Sequence, residues 1–120
     1  MKTHTFSTGD FDIFVSSVYK WMEKFGMHDW HVTVLHEQIG AGVNAQVQYN
    51  PKAKSACFRL SISSEGDFGF VTDPERLALH EVLHLMLGDF CYTTANLGSD
   101  THDLVVAREH EVINKLMRVL

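Results

Sequence analysis

The chain reads as a small α+β domain with an N-terminal helix, a three-stranded sheet, a helix carrying HExxH and a C-terminal helix. Three observations predict that class. Apolar residues recur at three and four from Phe11 to Phe25; the period then falls to two between Trp30 and Ile62; a helical, almost wholly apolar stretch follows Asp73.

In the first segment Phe11, Phe14, Val15, Val18, Met22 and Phe25 lie on one helical face, with Asp10 as the expected N-cap and Gly26 as the stop. Trp30, Val32 and Val34 alternate with His31 and Thr33, the signature of a half-buried strand. A second strand is expected over Val43–Tyr49, and Asn50-Pro51-Lys52 reads as a turn. A third strand places Ala56, Phe58, Leu60 and Ile62 on one face, and Ser64–Val71 reads as a loop carrying Phe68 and Phe70, which could line a substrate pocket. Asp73-Pro74-Glu75 starts the second helix: a capping carboxylate, a proline whose missing donor costs nothing there, and an acid favourable to the helix dipole. That helix is expected over roughly 74–87, with Gly88 ending it, and a third over Leu104–Leu120.

The 120 residues fit one domain, 1–120, without repeats or linkers. A net charge of −5 with no Lys/Arg run argues against a nucleic-acid backbone or an anionic membrane as a main partner. No stretch is long enough to span a bilayer, and Met1–Thr5 leads into an amphipathic segment instead of a secretory signal. The expected location is therefore the cytoplasm. Cys57 and Cys91 are too few for a disulfide framework and read as reduced thiols. His4, His28, His31 and His36 read as surface or strand-flank residues.

The chemistry concentrates at His80-Glu81-Val82-Leu83-His84. Two histidines four apart on a helix share one face, with Cβ atoms about 5–6 Å apart, so both imidazoles can reach one zinc ion. Glu81 then lies beside a coordinated water as its general base. Satisfied core histidines with a solvent-facing Glu are the bland alternative. Against it, two His and a Glu without partners in so apolar a helix would cost about 1–3 kcal/mol each.

HExxH supplies two ligands, and a hydrolytic zinc site needs a third. The metzincin extension is excluded, because Leu87 and Phe90 stand where it requires Gly and His. At about 100° per residue, Glu109 falls in the centre of the apolar stripe of the last helix and Glu111 nearly opposite. Glu109 is the expected third ligand and His110 the next candidate; a buried Glu109 paired with Arg76 or hydrogen-bonded to backbone is the structural alternative. Tyr92 and His102 are candidates for an oxyanion or supporting role.

HEVLHLMLGDF followed by REHEVINKL resembles the small single-domain zinc metallopeptidases often carried by phages, related to SprT-like and gluzincin-type zincins. The resemblance is best over Asp73–Met117 and looser over the strands at 30–63. It implies a minimal zincin core, a third ligand that is a Glu on a later helix, and a phage or prophage origin, hence the host cytoplasm; the ligand set drawn from two helices predicts one Zn2+ per chain. The Cys-rich zinc ribbon that follows many SprT-like domains is absent, so crosslink repair on DNA is not carried over. The expected activity is hydrolysis of a peptide or protein substrate, with the extended chain pairing along Ala56–Ser63 as an edge strand. A non-catalytic zinc-stabilised binding module and a zinc hydrolase of another amide or ester are the alternatives. A closed fourth ligand, Cys91 or His102, would favour the binding module. Substrate identity and oligomeric state are not encoded in any motif.

Overall fold

In the computed structural model, residues 2–66, 72–94, 109 and 111–120 are described. Helix α1 (Thr8–Lys24) starts one turn earlier than expected. Its N-cap is Ser7, whose hydroxyl accepts the Asp10 amide at 3.0 Å, while the Asp10 carboxylate accepts the Ser7 amide at 2.8 Å. Asp10 is therefore the third-position partner of a capping box, not the cap. Gly26 does stop the helix. Its φ of 71° lets its own amide reach the Glu23 carbonyl and the Met27 amide reach the Met22 carbonyl, closing a Schellman motif.

Strands β2 (His31–His36), β3 (Ala45–Asn50) and β4 (Ser55–Leu60) form the three-stranded sheet in the order β2-β4-β3. β2 runs parallel to β4, and β3 antiparallel to it. The turn falls where Asn50-Pro51-Lys52 places it: the Asn50 side chain accepts the Lys52 and Ala53 amides at 3.1 and 3.3 Å. Lys54, at φ 49°, closes the turn and forms an ion pair with Asp29.

Two expectations are corrected here. Ala56, Phe58 and Leu60 are buried on one face as the alternation requires, but Ile62 lies beyond the end of β4 and is exposed. β4 is also the central strand, paired on both sides, so Ala56–Ser63 does not offer an open edge along β4; the edges are β2 and β3.

A second, two-stranded sheet was not expected. β1 (Lys2–Thr5) pairs antiparallel with β5 (Ser63–Gly66), taking residues 64–66 out of the expected loop. Both segments are polar and only four residues long, so neither carries an apolar alternation. Backbone pairing forms them, extended by the Phe6 amide on the Ile62 carbonyl at 2.9 Å. Phe68 and Phe70 lie outside the described residues.

Helix α2 (Pro74–Thr94) begins at Asp73, whose carboxylate accepts the Glu75 amide at 3.1 Å. It continues through Gly88, which packs instead of terminating. A Cβ at Gly88 would overlap the hydroxyl and Cζ of Tyr49 from β3. The missing side chain thus admits an aromatic ring, an advantage that offsets the roughly 1 kcal/mol that glycine costs a helix. Residue 109 and residues 111–119 are helical, the latter forming α3; the expected 104–108 and residue 110 lie outside the described residues.

The core joins α1 (Phe14, Val18) to α2 (Leu79, Val82, Leu83, Leu85), with Phe58 and Leu60 of β4 and Ile113 of α3, all fully buried. Lys20 of α1 and Glu75 of α2 meet at 3.0 Å on the surface. Among the described residues no helix is long and apolar enough to cross a membrane.

Candidate metal centre

His80, Glu81 and His84 come together because α2 is regular across them. Each offers one donor atom, and the three atoms lie within 4.8 Å of one another. The two imidazole rings face each other at 4.7 Å between centroids, tilted by 49°. Both histidines are half-buried, whereas Glu81 is only 7 % exposed. Burial alone pushes the Glu81 carboxyl from 4.5 up to about 8, with no hydrogen bond or ion pair to it among the described residues. A carboxyl so placed is neutral at pH 7 unless a cation stands close by. The donor set thus fits a divalent metal such as zinc: two imidazoles on one helix face and an acid that would gain from positive charge.

Glu109 reaches this cluster from the segment leading into α3. Its Oε1 lies 3.1 Å from Nδ1 of His84, and the carboxylate is 12 % exposed. That separation suits either a second ligand on a shared metal or a hydrogen bond that orients the imidazole, the usual accompaniment of a metal-bound histidine. Arg76 does not pair with Glu109; its guanidinium donates to the Met117 carbonyl of α3. Tyr92 is 43 % exposed and begins about 12 Å along the helix axis from His84, outside the cluster. His102 and His110 lie outside the described residues.

Two neighbours were not read as a group from the sequence. Cys91 is buried, with Sγ 3.7 Å from Oε2 of Glu109. Burial, the Glu109 charge and this hydrogen bond together hold the thiol protonated beyond its ordinary range. Tyr49 enters from β3 against Gly88, and its phenol is likewise pushed up, by burial first and then by Glu109, Cys91 and Asp89. Gly88 was the available signal: a glycine within an apolar helical pattern leaves room for a close neighbour, here the Tyr49 ring. Cys57 is half-buried and, like Cys91, unbridged.

Compared with known proteins, the chain shows no significant match to a family model, a curated protein or a solved structure.

Proposed function

We propose that the protein is a zinc-dependent peptidase of the minimal zincin kind, as the resemblance of its HExxH and downstream segments to small phage-type enzymes implies. The observation that carries the reading is the buried Glu81 carboxyl flanked by two half-buried histidines on one helix. A structural pair of histidines has no use for that acid, whose burial is costly.

His80 and His84 would hold the metal, with Glu109 as the third ligand. When bound, zinc supplies a Lewis acid that lowers the pKa of water and polarises a scissile carbonyl. Glu81 accepts the proton of the attacking water and returns it to the leaving amine. Its enclosure keeps bulk water from competing for that proton, and a neighbouring cation favours the ionised form that a base requires. An extended substrate would pair along the outer edge of β3, the edge strand packed against α2, and not along the central β4.

The decisive experiment compares wild type with Glu81→Gln on a peptide library. Zinc content should be unchanged and hydrolysis should fall roughly 10²–10⁴-fold, the contribution of a general base. A wild type that cleaves nothing would transfer the site to the second reading, a zinc-stabilised binding module. The Cys91 thiol beside Glu109 favours that reading, because a fourth protein ligand would close the site. In that case Cys91→Ser should weaken zinc binding as strongly as His84→Ala.

A further inference from the structure

A cavity of about 830 Å³ opens beside His80, between the first turns of α2 and the face of α3. Its size falls in the range of about 300–1,000 Å³ typical of ligand pockets. Leu77 and Met117 give it apolar walls; Arg76, Asn114 and Arg118 give it polar ones. Asp73 is the one acid among the described lining residues, and its carboxylate already caps the Glu75 amide.

The charge balance is unusual for this chain. Fifteen acids face ten Lys and Arg residues overall, yet this cavity carries two guanidinium groups. Neither makes an ion pair with an acid among the described residues. Arg76 spends one donor on the Met117 carbonyl, which fixes it at the wall and ties the end of α3 to α2. That contact is structural, but it leaves the rest of the donor fork available. Arg118 is exposed on the opposite wall. A planar guanidinium presents five donors in a geometry matched to carboxylates.

We propose that this cavity is the specificity pocket of the candidate site and receives a peptide carboxylate on Arg76 and Arg118, from either an acidic side chain or a free chain end. The proposal rests on the peptidase reading, since His80 belongs to both the cavity wall and the metal cluster. It adds the substrate class: peptides bearing a negative charge next to the bond presented to Glu81.

The test measures binding, so that it does not depend on turnover. Zinc-loaded Glu81→Gln protein is titrated with acetyl-Ala-Glu-Ala-amide, with its Gln counterpart, and with acetyl-Ala-Ala bearing a free terminal carboxylate. At least one charged peptide should bind roughly tenfold tighter than the neutral one, as expected for a charge-assisted hydrogen bond. The Glu peptide leading identifies the side chain as the source; the free-acid peptide leading identifies the chain end. Arg118→Gln, which removes no contact found among the described residues, should abolish the preference, and Arg76→Gln should do the same where the variant folds. Equal binding of all three peptides, or a preference that survives Arg118→Gln, overturns the pocket. Cleavage by wild type without any carboxylate preference sinks the pocket and leaves the peptidase reading standing. Carboxylate preference without cleavage upholds the pocket and sinks the hydrolytic reading.

Discussion

In the metal-free protein, the stability of Glu81→Gln relative to wild type should increase as the pH rises. Burial holds the Glu81 carboxyl at about 8 in the folded chain, against 4.5 when exposed. Between those values the folded state keeps a proton that the unfolded state releases, so stability falls with increasing pH. The favourable term is fully present below pH 4.5 and is gone once the pH passes about 8. At 1.36 kcal/mol per unit, the whole interval is worth about 5 kcal/mol, and the part reached by pH 7 about 3 kcal/mol. Set against a typical total of about 5–15 kcal/mol, this is a large fraction. Glutamine keeps the shape and cannot ionise, so its stability escapes this loss. Urea unfolding in chelator at pH 5, 6, 7 and 8, taken as the difference between variant and wild type, cancels every other titrating group. The difference should widen by about 1 kcal/mol per pH unit towards pH 8. Parallel stability profiles would refute the reasoning, because Glu81 would then be hydrated or already paired with a cation. With zinc restored the slope should flatten, since the ionised carboxylate is no longer isolated.

Zinc should bind once per chain and raise stability by about 4 kcal/mol at a thousandfold excess over its Kd, with His80→Ala and His84→Ala each removing the effect; a melting temperature indifferent to zinc and chelator would exclude the metal. Glu109→Ala should weaken zinc binding by at least 10–100-fold, the loss typical of a group that only orients a ligand, while Glu111→Ala should leave it nearly unchanged. Isothermal titration ranks the two, and the reverse order would place the wrong face of this segment at the metal. Gly88→Ala should give none of the roughly 1 kcal/mol gain usual for a helix interior, yet should recover that gain in a Tyr49→Ala background; equal gains in both backgrounds would show that Tyr49 does not occupy the space.

The long amphipathic helix and the three strands were legible because each buries an apolar face whose period declares the element, and the HExxH helix because Asp73-Pro74-Glu75 marks its start ahead of an almost wholly apolar stretch. Sequence patterns located α1 but missed its start, because Ser7 and Asp10 are both good caps and only the reciprocal hydrogen bonds distinguish their roles. β1 and β5 escaped for a different reason: they are short, polar and held through the backbone, which leaves no mark on side-chain patterning. Strand order also escaped. Three alternating segments do not say that the last one inserts between the first two. At the site, the His80, Glu81 and His84 cluster followed from helical spacing, and Glu109 from its place in an apolar stripe. Tyr49 and Cys91 came to the same region through tertiary packing that local periodicity cannot report.

The central position of β4 has a consequence for the order in which the molecule is made. Both sheets and α1 lie within residues 2–66, so the scaffold is translated before any part of α2. The β3–β4 hairpin can close locally, and β2 then joins it in parallel register across 24 positions, as in His31 with Ser55. Until α2 follows, Phe14 and Val18 of α1 and Phe58 of β4 have no helix to cover them. At ordinary synthesis rates that interval is on the order of seconds. The helix carrying the candidate site is also the cover that completes the core. A nascent chain stalled before it would expose a sticky apolar face, and truncations upstream of Pro74 should aggregate instead of yielding an isolated scaffold.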